Sequence, residues 1–296
     1  MRHRLPIQGP LDLDLTFSCG QAFRWRADRD AWLGVVGSAA LRVSLDGRWL
    51  EVDVRGSDPG PGALARYFRL EEDPAVHLAH AEELRAIPGL TRLLGLRLLH
   101  QDPWETVASF ICSAAANIRK ITACVEGLAA RFGSEISGSP HRTFPGVERL
   151  ARSRESELRA LGLGFRAPFL LATARRLAEG PWDWEALRDA PIEEARARLV
   201  ALPGVGPKIA DCALLFGVGR LDAYPVDRWI RRATLELKGS RRARDEDLAR
   251  WAARFGPGRG YLQQLLFHLR RTGGPLPRLP GERPRPRRTA RARAGS

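Results

Sequence analysis

The stretch "ARARLVALPGVGPKIADCALLFGVG" (195–219) decides the fold. Apolar residues recur at helical spacing on both sides of "LPGVG" (202–206), so the sequence predicts helix, tight turn, helix over about 193–219. Gly204 and Gly206 can adopt left-handed backbone angles, and without side chains they let a partner approach the main chain. The turn opens a new helix, so unpaired N–H groups face outward at the positive end of its dipole. That arrangement suits a phosphate oxygen, although a plain helix–helix corner fits the same residues.

Lys208 is the odd member. Of 48 Lys plus Arg, only Lys120, Lys208 and Lys238 are Lys. In the first turn of a helix an ammonium opposes the dipole, and Arg would share that fault. What distinguishes Lys is that it can lose its proton in a protein and Arg cannot. A desolvated amine there is a candidate nucleophile toward a carbonyl or an acetal carbon, and a phosphate-contacting or solvated Lys is the alternative. Nineteen residues on, Asp227 in "AYPVDRWIRRATLEL" (223–237) is placed to cap the next helix. Beside an activatable amine, the same carboxylate can take its proton and stabilise a cationic, sugar-like transition state.

Outside this core the pattern changes twice. "LRVSL" (41–45) and "LEVDV" (50–54) alternate apolar and polar around Asp46-Gly47, a hairpin signal, and "FRWR" and "AWLGVV" upstream read as two more strands. From about Ala63 the periodicity is helical. In "DPWETVASFICSAAANIRKI" (102–121) Asp102 caps, Pro103 starts and Glu105 follows at the third position; further helix starts lie near Pro191 and Asp245. The expectation is an α+β chain: an antiparallel β domain with first helices over 1–99, a helical domain over 100–270, and a disordered tail over 271–296. That tail holds eight Arg and one Glu, half of the formal net charge of +14.

So basic a chain is predisposed to polyanions, nucleic acid first. Cys19, Cys112, Cys124 and Cys212 form no C-x-x-C pair, which argues against zinc or iron–sulfur ligation and for a reducing compartment. The start "MRHRLPIQGPLDLDL" lacks the apolar core of a signal peptide, and "VASFICSAAANI" is too short to span a bilayer. A cytoplasmic protein with no membrane partner is expected.

With these residues in view, "LPGVGPKIADC" followed by "YPVD" resembles the signature of the helix-hairpin-helix DNA glycosylases, and the Lys-plus-Asp pairing resembles their bifunctional branch. "SCGQAFRW" (18–25), "FICSAAANIRKI" (110–121), "LGLGFRAPFL" (161–170) and "GYLQQLLF" (260–267) are similar, in order, to the eukaryotic-type 8-oxoguanine DNA glycosylases. The resemblance implies base excision from double-stranded DNA containing an oxidised purine, by a monomer without a cofactor or metal. Lys208 would attack C1′ and form a Schiff base that permits β-elimination, with Asp227 assisting. The flipped base would lie against Gly20, Gln21 and Phe23, between Phe267 and Cys212, with Gln263 on its Watson–Crick edge. The Gly20 carbonyl would accept from the N7–H that 8-oxoguanine has and guanine lacks. DNA contacts would come from Gly204, Val205 and Gly206, from Asn117 and Lys120, from Phe165 as a wedge beside Arg166, and from Trp229. Ala115 and Ala116 stand where the family usually has Asn, Lys120 where it has Arg, and Trp229 where it has His. A monofunctional alkylated-base glycosylase of the 3-methyladenine type, which generally lacks the Lys, is the alternative. A non-catalytic DNA-binding helix-hairpin-helix protein is a second.

Overall fold

The computed structural model describes residues 1–79 and 82–280. The two alternating segments form a hairpin of β4 (Ala39–Asp46) and β5 (Trp49–Gly56), in the register Leu41↔Val54, Val43↔Val52 and Leu45↔Leu50. Side chains alternate faces along a strand, so this register puts Leu41, Val43, Leu50, Val52 and Val54 into one buried face. Gly47 takes the left-handed turn position at φ 57°. β2 (Trp25–Asp28) and β3 (Ala31–Val36) continue the sheet as expected.

The fifth strand, β1 (Arg2–Pro6), was not expected. It pairs antiparallel with the edge of β5, giving the order β1-β5-β4-β3-β2. An edge strand with only Leu5 buried carries no apolar alternation to read; Arg2–Asp53 and Arg4–Asp46 pairs line it instead. α1 (Leu13–Ser18) and α2 (Pro61–Phe68) add Phe17, Leu64 and Phe68 to the sheet's core, where Phe17 stacks on Trp25 at 4.1 Å. Beyond α2 the expected helical run breaks into short 3₁₀ turns (Pro74–Leu78, Glu82–Ala86, Leu90–Leu93), because Pro74 and Pro88-Gly89 interrupt it.

The helical part comprises α3 (Pro103–Cys112), α4 (Ile118–Phe132), α5 (Val147–Ala151), α6 (Glu155–Ala160), α7 (Ala167–Ala178), α8 (Trp184–Asp189), α9 (Ile192–Val200), α10 (Pro207–Cys212), α11 (Arg228–Leu237), α12 (Asp245–Ala252) and α13 (Arg259–Thr272). Asp102 caps α3 as read from the sequence, accepting from the Glu105 N–H at 2.8 Å. Among the described residues the one strand-like pairing in this part is an isolated bridge, Glu135↔Arg142.

A buried polar knot ties sheet to helices. Arg97, fully buried, donates to the carbonyls of Pro10, Arg69, Glu72 and Gln8. Gln21 donates to the carbonyls of Thr16 and Arg97 and accepts from the Leu99 N–H. These bonds fix the loop after α1, and Gln264 of α13 grips the same loop through the Cys19 carbonyl at 2.8 Å. A loop of the sheet domain is thereby held rigidly against the helical domain.

The tail expectation needs correction up to residue 280. The Leu279 N–H donates to the Leu237 carbonyl, the Leu276 N–H to Glu236, and Leu279 is 2% exposed. Two apolar anchors in an otherwise Pro/Arg-rich run dock it on α11, a specific fit that composition does not reveal. Residues 281–296 lie outside the described residues. Among the described residues no helix is long and apolar enough to cross a membrane, and all four Cys are free and buried.

Candidate active site

A cavity of about 1260 Å³ opens between the loop after α1, the α3–α4 connection, the hairpin helix α10, the start of α11 and α13. Lys208 sits in the first turn of α10, behind Pro207. Its Nζ lies 3.3 Å from the Ser113 hydroxyl and 4.7 Å from the centre of the Phe110 ring. Phe110 is itself stacked on Phe216 at 5.6 Å and met edge-on by Phe23 at 5.6 Å, so the amine rests on an aromatic floor. Cys212, one turn along α10, lines the same wall. Burial pushes its thiol up to about 12, against the pull of the Lys208 ammonium. A thiol held neutral is an apolar surface rather than a nucleophile.

Asp227 caps α11, as its sequence position suggested. Both the Trp229 and Ile230 N–H groups donate to its Oδ1 at 2.8 Å, and among the described residues none takes Oδ2. Among the described residues the Lys208 amine meets Ser113 and the Asp227 carboxylate meets backbone N–H groups rather than each other, yet both line the cavity. The cap fixes the carboxylate by backbone donors to one oxygen at the rim of the cavity. Gln263 donates to the carbonyl of Pro225, two residues before Asp227, at 3.2 Å; its Oε1 is buried without a partner among the described residues. An unpaired buried acceptor costs about 1–3 kcal/mol, a cost that a ligand with a donor removes.

Of the residues singled out from sequence, the cavity brings together Lys208, Asp227, Gly20, Phe23, Cys212, Gln263, Phe267, Asn117, Gly206 and Trp229. Gly20 has φ 80°, and a Cβ there would sit 2.9 Å from Ile118. The left-handed angle favours glycine at this position. Gln21 is not among them: its side chain is spent on the knot described above, and it serves the pocket only by holding Gly20. Lys120 lines neither cavity; its Nζ reaches over Gly162, where a Cβ would meet it at 2.4 Å.

Gly204, Val205 and Gly206 meet Phe165 and Arg166 at a second cavity of about 560 Å³ beside the first. Val205 is buried and its N–H donates to the Leu202 carbonyl at 3.1 Å, whereas among the described residues the Gly204 and Gly206 N–H groups take no partner. Phe165 is 54% exposed. Arg166, by contrast, is buried: its Nε donates to the Ala114 carbonyl at 2.6 Å, and its guanidinium lies 4.5 Å from the Phe165 ring. It braces the α3–α4 loop and backs the exposed ring.

Sequence reasoning missed three features. Phe110 and Ser113, which place the amine, lie inside a quoted motif, but nothing local says that Lys208, 95 residues on, meets Ser113. Arg271, the first residue of the expected tail, lines the cavity, lies 5.5 Å from the Phe267 ring and donates to the Ser18 carbonyl. Asp211 of α10 forms a 2.7 Å pair with Arg196 of α9, both lining the cavity, and burial pushes its carboxyl up to about 6 despite that partner. Among the described residues no cluster of His, Cys, Asp or Glu is placed to hold a metal.

Comparison with known proteins gives concordant results. Residues 4–107 match the family model of the 8-oxoguanine DNA glycosylase N-terminal domain, and residues 108–255 match that of HhH-GPD superfamily base excision DNA repair proteins. The chain is 30% identical to a probable N-glycosylase/DNA lyase of Methanothermobacter thermautotrophicus, over 93% of this chain and 98% of that one. It is 31% identical to the N-glycosylase/DNA lyase OGG1 of Arabidopsis thaliana, over 87% and 76%. The crystal structure of Clostridium acetobutylicum 8-oxoguanine glycosylase/lyase, in complex with dsDNA containing cytosine opposite to 8-oxoG, matches with a TM-score of 0.81 at 28% identity, covering 88% of this chain and 92% of that one. Two family models met in order along one chain, and a relative matched over nearly its whole length, make this protein a member of the HhH-GPD superfamily of base excision DNA repair proteins, in the branch that carries the 8-oxoguanine DNA glycosylase N-terminal domain.

Proposed function

We propose that this protein excises 8-oxoguanine from double-stranded DNA and then nicks the strand, acting as a single chain inside the cell through a covalent amine intermediate. The observation that carries the reading is the convergence of an amine on an aromatic floor, a backbone-anchored carboxylate and an unpaired buried acceptor on one cavity. The hairpin amides of Gly204 and Gly206 take a phosphate oxygen of the damaged strand. The damaged nucleotide rotates out of the stack, at a cost of a few kcal/mol, into the larger cavity.

There the base is sandwiched between Phe267 and the neutral Cys212, and Gln263 Oε1 accepts from its Watson–Crick edge. The Gly20 carbonyl accepts from N7–H. Guanine presents a lone pair at N7, so two acceptors would face each other and the normal base is rejected. Lys208 Nζ, once it has shed a proton, forms a bond to C1′ as the C1′–N9 bond breaks and the base leaves with the bonding pair. Asp227 Oδ2 stabilises the positive charge that develops on the sugar. Ring opening of the resulting aminal gives a protonated Schiff base. Loss of a C2′ proton then expels the 3′ phosphate and cleaves the strand.

The test is borohydride reduction during turnover on a duplex containing 8-oxoguanine. The wild-type chain should become covalently linked to DNA, and Lys208→Gln should not. A persisting adduct in Lys208→Gln removes Lys208 from this role; base release with no adduct in the wild type makes the enzyme monofunctional.

A further inference from the structure

Three large apolar side chains gather where a soluble surface has least reason to keep them. Phe165, Phe169 and Val200 are 54%, 44% and 39% exposed, and all line the smaller cavity beside the hairpin. Phe165 lies in the 3₁₀ turn (Gly164–Arg166) that leads into α7 and Phe169 in the first turn of α7; Val200 closes α9 on the other side. The ridge is fixed to the hairpin. A Cβ on Gly204 would come within 2.5 Å of the Phe169 Cβ, so the missing side chain is what lets Phe169 sit against the hairpin main chain. Thr173, one turn further along α7, donates to the Pro203 carbonyl at 2.5 Å. Open amides that suit a phosphate and an apolar ridge are thus parts of one rigid surface.

We infer that Phe169 and Val200 form a second, apolar DNA contact, seated on the deoxyribose edge of the strand whose phosphate the hairpin holds. This rests on the DNA-binding reading above. The occupant follows from continuity with the hairpin. A backbone phosphate bound at Gly204 and Gly206 is flanked on either side by deoxyribose, the part of the backbone that presents C–H faces. Such a face matches the apolar surface that Phe169 and Val200 expose beside the hairpin. Phosphate contacts fix the strand's position, and the ridge adds burial that a phosphate cannot supply.

The test measures equilibrium binding to a duplex carrying an uncleavable tetrahydrofuran abasic analogue, and to the undamaged duplex, over a salt series. Phe169→Ala should weaken binding about tenfold. The slope of log K against log salt should stay at the wild-type value, because no counterion-releasing group is lost. Val200→Ser, on a separate helix, should weaken binding about threefold and keeps the inference testable if Phe169→Ala fails to fold. Wild-type affinity in both variants overturns the inference. So does a shallower salt slope, which would mean that phosphate contacts had been lost. So does a wild-type dimer that either substitution dissociates, since the ridge would then bind a second copy. Binding to the abasic duplex is read without turnover, so failure to excise 8-oxoguanine would refute the proposed activity and leave this measurement intact.

Discussion

Two regions of this molecule bury polar side chains, and they do so in opposite ways. In the knot between sheet and helices, Arg97 spends its guanidinium on four backbone carbonyls, and both ends of the Gln21 amide are paired. In the cavity a few residues away, among the described residues, Gln263 Oε1 and Asp227 Oδ2 take no partner, while Asp227 Oδ1 takes two N–H groups. Closed networks hold the fold; groups anchored by one end and open at the other are left for a ligand. Gln21 and Gln263 make the contrast sharpest. They are the same residue type, both buried, and both read from sequence as pocket residues, but only one has an atom to offer.

The largest expected effect is on chemistry. Asn caps a helix about as well as Asp, so Asp227→Asn should unfold at nearly the wild-type denaturant midpoint. Single-turnover excision of 8-oxoguanine should nevertheless fall by about 10²–10⁴-fold. A large loss of stability with unchanged turnover would make Asp227 a member of the closed class.

Arg97→Met should show the reverse. It strands several buried carbonyls and should lower unfolding free energy by about 4 kcal/mol, measured by denaturant titration. A loss under about 1 kcal/mol would mean that the knot is not what joins the two layers.

The glutamines sharpen the comparison at smaller scale. Gln21→Ala should cost about 2 kcal/mol of stability. Gln263→Ala should cost about 1 kcal/mol and slow excision about tenfold, read as kcat/KM on the 8-oxoguanine duplex. Equal stability losses would erase the distinction.

A further effect is electrostatic. Burial raises the Asp211 carboxyl from its ordinary 3.8 to about 6. Between those values the folded state holds the proton more often than the unfolded one. Its contribution is therefore fully present below about pH 4 and is lost as pH rises through about 6, a fall of about 2–3 kcal/mol. Asp211→Asn should flatten that component of the stability-versus-pH curve; parallel curves for the two proteins would contradict it.

Much of the fold was legible from local signals, because these depend on near neighbours in sequence. Asp46-Gly47 between alternating segments gave the hairpin, Asp102 and Asp227 cap the helices they were expected to cap, and the "LPGVG" turn lies between α9 and α10. β1 was illegible because its partner, not its own pattern, makes it a strand.

The sequence by itself singled out Lys208 and Asp227, since the choice of Lys over Arg and the position of a cap are chemical facts about single residues. It could not decide which buried polar atoms stay unpaired. That depends on contacts such as Lys208 with Ser113 and Gln264 with the Cys19 carbonyl, 95 and 245 residues apart along the chain. Gln21 faces a knot and Gln263 faces a cavity because packing closed around one amide and not the other. Only the tertiary structure makes that choice, because burial and hydrogen-bond saturation belong to the space around a side chain and not to the side chain.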